Sequence, residues 1–214
     1  MDINKHKITI VGCGPGALDY LTPAARTAIE RADLLVGAPR LLDAFATPHA
    51  GRIAVKADIE EVLVQIAAHA RHKNIVVLVT GDPGLCSLAQ PVIKRFGHNA
   101  CEIIPGVSSV QVAFARVGLD WLDARIVSAH DKTPALSFAA LAGEKKIAVL
   151  AGNDATQPWI ASLSASLAAS HQFFVCENLT LPGERVGKVT ASELKSMKLP
   201  SRSIVLLIYK EMLS

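Results

Sequence analysis

The stretch Ile75-Val-Val-Leu-Val-Thr-Gly-Asp-Pro-Gly84 decides how the rest of the chain is read. Ile75 to Val79 is an unbroken apolar run, four of its five residues β-branched, and such a run fits a strand buried on both faces of a parallel sheet. The turn follows at once. Gly81 tolerates backbone angles that other residues resist, Asp82 is placed to cap a following helix, and Pro83 fits a first helical position, where its missing N–H costs nothing. A strand entering such a turn leaves backbone amides and one carboxylate at its carboxyl end, the edge on which open α/β sheets bind ligands.

Upstream, Lys7 to Val11 reads as a first strand ending in Gly12-Cys-Gly-Pro-Gly16. Thr22 caps and Pro23 opens a helix to about Arg31, Leu34 to Val36 is a short strand, Pro39 to Phe45 a short helix and Arg52 to Val55 a third strand. Asp58 then caps a helix whose apolar residues Ile59, Val62, Leu63, Ile66, Ala67 and Ala70 recur at helical spacing. Downstream, a helix over Leu85 to Phe96 is expected to kink at Pro91 and end at Gly97. Ala100 to Ile104 is a strand entering Pro105-Gly-Val-Ser-Ser109, and Ser108 or Ser109 caps a helix running to Gly118. This alternation predicts a mainly parallel sheet with helices on its faces, a first α/β domain over residues 1–118. A second α/β domain over 119–214 starts with a strand from Arg125 to Ala129, followed by helix Pro134 to Ala142, strand Ile147 to Ala151, helix Thr156 to Ala169 and strand Gln172 to Cys176. Glu184 to Val189 and Ser203 to Tyr209 are separated only by a short helical segment, which predicts antiparallel pairing and a smaller, mixed sheet.

Composition narrows the function. The chain has 214 residues, half of them hydrophobic, and 22 basic against 19 acidic side chains leave a net charge of +3. No basic arm or run of like charge is present, which argues against nucleic-acid binding, while a mildly basic surface suits a polyanionic small molecule. The start of the chain lacks a leader's apolar core and no apolar run is long enough to span a bilayer, so a cytoplasmic protein without membrane association is expected. Cys13, Cys86, Cys101 and Cys176 lie far apart without a C-x-x-C pair, so they read as buried filling rather than as a zinc site or disulfides, and no metal is expected. Cys86 alone, just beyond the Asp82 turn, has the position of a possible nucleophile.

Three motifs compete. Gly12-x-Gly14-x-x-Ala17 follows a strand and matches a relaxed dinucleotide fingerprint, the basis for a nicotinamide oxidoreductase as the rival reading. Pro15 inside the loop, a helix delayed to Thr22 and the absence of an acid after the second strand, at Gly37-Ala38-Pro39-Arg40, argue against it. Ser108, His130 and Asp131 form a weak hydrolase set, because sequence neighbours rarely let one orient the other's imidazole. The third reading is a small ligand gripped mostly by backbone, since turns at Gly12–Gly16, Thr80–Gly84, Pro105–Ser109, Ala151–Asp154 and Glu177–Gly183 each follow an apolar strand.

Taken together and in order, Val11-Gly-Cys-Gly-Pro-Gly16 with Leu21-Thr22, Thr80-Gly-Asp-Pro83, Ile104-Pro-Gly-Val-Ser-Ser109 and Glu177-Asn-Leu179 with Glu184 resemble the tetrapyrrole (precorrin) methylase family. The resemblance implies S-adenosylmethionine as cofactor, folded up in a cleft between two α/β domains and held mainly by backbone, and a tetrapyrrole substrate. Carried over by position, it implies cofactor contacts at Pro15, Thr80, Gly81, Asp82, Leu85, Ser108, Ser109, Ala151 and Leu179. Asp82-Pro-Gly-Leu-Cys-Ser87, Ser108-Ser-Val-Gln-Val-Ala-Phe-Ala115, Val127-Ser-Ala-His130 and Glu177-Asn-Leu-Thr-Leu-Pro-Gly-Glu184 are most similar to the stand-alone members that methylate cobalt-precorrin-7 at C5 in cobalamin biosynthesis. A homodimer and a functional link to a C15-methylating decarboxylase are implied as well, and a non-catalytic cofactor binder of the same fold is the non-enzyme alternative. The chain departs from the family at Ala17, where many relatives carry an acid, and at Gly84-Leu85, where many carry an aromatic pair. Asp82 is expected to serve cofactor binding rather than rate, and His130, at a strand end, to orient the substrate or take a proton as the catalytic candidate. Arg40, Arg116, Lys132 and Arg185 lie near loop ends and are candidates to pair with macrocycle carboxylates.

Overall fold

A computed structural model describes residues 7–45 and 47–213; apart from Lys7, the amino-terminal segment weighed above as a leader lies outside them. The chain forms two compact units, one ending at Ser108 and the other starting at Ser109.

The first unit holds β1 (Ile8–Gly12), α1 (Pro23–Glu30), β2 (Leu34–Gly37), α2 (Pro39–Ala44), β3 (Gly51–Ala54), α3 (Ile59–His69), β4 (Ile75–Val79), α4 (Ala89–Phe96) and β5 (Cys101–Ile104). Its sheet has the order β3-β2-β4-β1-β5 with every pair parallel. Pairing of Ile8 with Ile75 and of Gly12 with Val79 puts the carboxyl ends of β1 and β4 level. Alternate residues of β4 serve two cores. Ile75, Val77 and Val79 pack with Val62, Leu63, Ile66, Val92 and Ile93 of α3 and α4, while Val76 and Leu78 pack with Ala25, Ile29, Leu41 and Leu42 of α1 and α2. That two-sided burial is why β4 is apolar at every position, and each such side chain contributes about 1.5–3 kcal/mol. The order also explains the helix layers. The chain steps one way along the sheet through α1 and α2 and the other way through α3 and α4, so right-handed crossovers place the two pairs on opposite faces.

Local signals acted as expected at several ends. Thr22 Oγ1 accepts from Ala25 N at 3.2 Å with Pro23 in the first turn of α1, and Asp58 Oδ1 accepts from Glu61 N at 3.1 Å ahead of α3. Two helices are shorter than their sequence pattern. α4 begins at Ala89 rather than Leu85, so Pro91 falls in its first turn, where no helical N–H is needed. The helix expected over Pro134 to Ala142 is reduced to Phe138–Leu141 with Ser137 as cap.

The second unit holds α5 (Ser109–Arg116), β6 (Arg125–Ser128), α6 (Phe138–Leu141), β7 (Lys146–Leu150), α7 (Gln157–Leu167), β8 (His171–Glu177), β9 (Arg185–Val189), α8 (Ala191–Ser196) and β10 (Ser203–Tyr209). Its sheet, β6-β7-β10-β8-β9, is mixed: β6 and β7 are parallel and the other neighbours antiparallel. Val205 and Leu207 of β10 belong to a core with Ile160, Leu163, Leu167 and Leu194 of α7 and α8. The alternate residues Ile204, Leu206 and Ile208 are also buried, and α5 packs on β10. The division between units at Ser108/Ser109 thus places α5 with the second sheet, ahead of the connection at Gly118.

Candidate functional site

The carboxyl edge of the first sheet is where three loops meet. Cys13 N donates to Val79 O at 2.8 Å, and Gly14 and Gly81 form an antiparallel bridge, with Gly81 N on Gly14 O at 2.8 Å and Gly14 N on Gly81 O at 3.3 Å. The loop after β5 comes equally close. A Cβ added at Gly12 would lie 2.5 Å from Gly106 N and 2.7 Å from Gly81 O, so the ends of β1, β4 and β5 touch backbone to backbone where only glycine leaves room.

Asp82 ties this junction together. Its Oδ1 accepts from Gly84 N at 2.8 Å and its Oδ2 from Gly106 N at 3.1 Å. No helix follows at Pro83, so the expected role of Asp82 as a helix cap, with Pro83 as first helical residue, is corrected: the carboxylate closes its own turn and reaches across to the next loop. Short polar side chains that bond backbone two residues on stabilise turns of this kind. Arg40, at the start of α2, donates through Nη2 to Thr80 Oγ1, bringing the loop after β2 to the same edge. Pro15, Gly81 and Ser108 are buried, and Thr80, Asp82 and Leu85 half-buried.

The cysteines divide. Burial pushes the thiols of Cys13 and Cys176 up to about 12, so both are inert filling. Burial also raises the half-buried Cys101. Cys86 is not buried filling: it is exposed and takes a left-handed backbone, φ 45°.

The second unit gathers its own set. Because β7 and β8 are each antiparallel to β10, the carboxyl ends of β6, β7 and β8 share one edge. His130 follows β6 and its Nδ1 lies 3.4 Å from Ala151 O, just past β7. A carbonyl only accepts, so in this contact the proton on Nδ1 faces Ala151 O and Nε2 is the ring nitrogen turned away from it. Asn153 Nδ2 donates to Asp131 O at 3.2 Å, and Thr156 Oγ1 to Ala129 O at 2.6 Å, which fasten the two loops to each other. Leu179 sits in the turn after β8 between two left-handed residues, Asn178 at φ 49° and Thr180 at φ 68°. Ala151 and Leu179 are 2% and 3% exposed, and the Ala151 peptide is engaged on both sides, its N–H donating to Ser203 O at 2.9 Å and its carbonyl facing His130 Nδ1. Ser109 opens α5.

The basic candidates separate in the same way. Arg116 is clamped on Glu184, Nε to Oε1 at 2.5 Å and Nη2 to Oε2 at 3.3 Å, and Arg185 Nη2 pairs with Glu177 Oε2 at 2.5 Å. Arg116 and Arg185 are therefore engaged within the unit, whereas Lys132 is exposed on the His130 loop. The bidentate guanidinium beside Glu184, with the Thr180 N–H, holds that carboxyl below the usual carboxylate range. Sequence reasoning missed the Asp82–Gly106 bond and the Glu184 clamp, since each joins segments far apart in the chain. Only Gly106, in a Pro-Gly turn after a strand, carried a local signal.

This geometry does not suit a dinucleotide. Leu18–Tyr20 forms a short 3₁₀ turn and α1 starts at Pro23, so the Gly12–Gly16 loop does not run directly into the amino terminus of a helix that would receive a pyrophosphate.

The chain belongs to the tetrapyrrole (corrin/porphyrin) methylase family, whose family model matches residues 7–195. Among its relatives is the cobalt-precorrin-7 C(5)-methyltransferase of Salmonella typhimurium, 36% identical over 180 residues, 84% of this chain and 88% of that protein. The probable cobalt-precorrin-7 C(5)-methyltransferase of Methanocaldococcus jannaschii is 29% identical over 195 residues, covering 89% and 90%. Uroporphyrin-III C-methyltransferase from Thermus thermophilus, solved with S-adenosyl homocysteine, has the same fold, with a TM-score of 0.76 at 21% identity over 94% of this chain and 92% of that one. Among the described residues no helix is long and apolar enough to cross a membrane.

Proposed function

We propose that the protein transfers a methyl group from S-adenosylmethionine to C5 of cobalt-precorrin-7, as a step of cobalamin biosynthesis. The observation that carries this reading is the backbone junction of Gly12, Gly81 and Gly106, closed by Asp82, in a chain that shares most of its length with C5-methyltransferases. The fit is chemical as well. A sulfonium-bearing nucleoside offers amine, carboxylate, hydroxyl and purine groups, which backbone N–H and C=O groups recognise without a basic cradle.

When bound, S-adenosylmethionine would supply an electrophilic methyl group for in-line transfer to the acceptor carbon, with a thioether as a leaving group that needs no acid. The residues of this chain then align, exclude water and accept a proton. Pro15, Thr80, Gly81, Leu85, Ser108, Ser109, Ala151 and Leu179 are the residues assigned to the donor. Asp82 acts mainly by keeping the loops after β4 and β5 together, so it serves binding rather than rate. His130, with Nδ1 on Ala151 O, presents Nε2 as the base for the proton that the methylated carbon loses. Arg40 and Lys132 are the basic residues assigned to macrocycle carboxylates. The protein is proposed to work as a cytoplasmic homodimer, alongside a C15-methylating decarboxylase.

Isothermal titration with S-adenosylhomocysteine and with NADP tests the ligand class: binding of the first and not the second is expected. Turnover of cobalt-precorrin-7 with labelled donor, with the methyl located by NMR, tests the reaction. Label at a carbon other than C5 would overturn the assignment, and donor binding without turnover would make the protein a non-catalytic binder.

A further inference from the structure

We propose that Arg116 and Glu184 are positioning residues, a clamp that holds the turn after β8 in the shape that meets the methyl donor; this rests on the reading of Leu179 as a donor contact. The turn is strained. Thr180 is β-branched and sits at φ 68°, and Asn178 at φ 49° flanks Leu179 on the other side. A β-branched residue in the left-handed region persists only where its surroundings over-determine it.

Glu184 supplies that constraint. Its Oε2 accepts from Thr180 N at 2.5 Å, and its carboxylate is gripped by both Nε and Nη2 of Arg116. A second clasp closes the other side, where Glu177, the last residue of β8, accepts from Arg185 Nε at 2.6 Å. The Glu184 side chain is 25% exposed and that of Arg116 36%, and the planar two-bond fork fixes the direction of the carboxylate in a way a lysine would not. Arg116 ends α5, the helix that Ser109 opens, so the clamp also fixes the distance from one proposed donor contact to another along one rigid element. The orientation of the Leu179 peptide is set by the backbone angles on either side of it. The clamp therefore acts on donor affinity through the turn, without touching the reacting atoms.

The test is calorimetric titration of the purified full chain with S-adenosylhomocysteine. Glu184→Ala is expected to bind about tenfold more weakly, and Glu184→Gln, which keeps an acceptor for the Thr180 amide, by less. Thr180→Gly added to Glu184→Ala is expected to recover most of the loss, because glycine adopts this φ without strain. A residue that only supports global stability gives no such recovery. With authentic substrate, KM for the donor rises in Glu184→Ala while kcat at saturation stays near the native value. Arg116→Lys keeps the charge pair and loses the fork, so it reports the same effect even if Glu184→Ala fails to fold. The proposal is overturned if Arg116→Lys and Glu184→Gln both bind within about twofold of the native protein, or if Thr180→Gly restores nothing. A native protein that fails to bind S-adenosylhomocysteine overturns instead the function proposed above, a result seen before any variant is compared.

Discussion

Replacing Gly12 by alanine tests the junction on which the site is built. The added Cβ would stand 2.5 Å from Gly106 N and 2.7 Å from Gly106 Cα and Gly81 O, where ordinary contact begins at 3.4 Å, so the loop after β5 must retreat by about 0.9 Å (3.4 less 2.5) and the loop after β4 by about 0.7 Å (3.4 less 2.7). Neither can do so freely. Gly81 is bridged to Gly14 on both sides, and Gly106 is held by Asp82. Overpacking of this kind costs about 1–3 kcal/mol, and each loop hydrogen bond that breaks adds about 1 kcal/mol, for a total of about 2–4 kcal/mol. In a chain of this size that lowers Tm by about 5–15 °C. Differential scanning calorimetry reads the stability and titration with S-adenosylhomocysteine reads the site, where a loss of at least about tenfold is expected, since a 1 kcal/mol-scale distortion already costs most of that factor. Gly143→Ala is the control, because a Cβ there meets nothing within 4 Å and a neutral or slightly stabilising change is expected. If Gly12→Ala keeps both its Tm and its ligand affinity, the three loops do not form the rigid junction described.

Other outcomes follow from named contacts. Asp82→Ala removes the acceptor of both Gly84 N and Gly106 N, so it should weaken donor binding far more than it alters turnover at saturation, with Asp82→Asn intermediate; unchanged calorimetric affinity for S-adenosylhomocysteine would defeat this. His130→Ala should lower kcat with cobalt-precorrin-7 by about 10²–10⁴-fold if the ring takes the proton, and full activity with normal substrate affinity would remove it from the mechanism. The Glu184 carboxyl lies below its ordinary value of 4.5, first through the Arg116 bond and then through Thr180 N–H. A depressed folded-state value means the pair stabilises the fold above about 4.5 and loses that contribution as pH falls through the lowered value. The pair is partly exposed, so the effect is modest: the Tm gap between the native protein and Glu184→Gln should be present at pH 7 and narrow below 4.5, and a gap independent of pH would contradict the ion pair.

Much of the fold was legible in the chain because its signals are local. Ile75 to Val79 reads as a strand covered on both faces, and Thr22-Pro23 and Asp58 announce helix starts through atoms a few residues away; the antiparallel pairing expected near the end of the chain is there, but it joins β8 to β9 and to β10, while β9 and β10 run parallel to each other on either side of β8. The errors came where the same residue types serve a distant partner. Asp82-Pro83 has the form of a helix start, yet its carboxylate bonds Gly106, 24 residues on, and the helix waits for Ala89. Arg116 and Arg185 read as surface cations available to a ligand, and both are held by glutamates.

The order of apolar runs and turns in the sequence by itself determined the α/β class, the near-complete element list and the family, because period, capping and chain order are written residue by residue. Only the tertiary structure decided which groups remain for chemistry. Hydrogen bonds between distant segments, such as Asp82 to Gly106 and Glu184 to Arg116, depend on how the strands of each sheet are ordered, and strand order is a long-range packing outcome that no local pattern encodes.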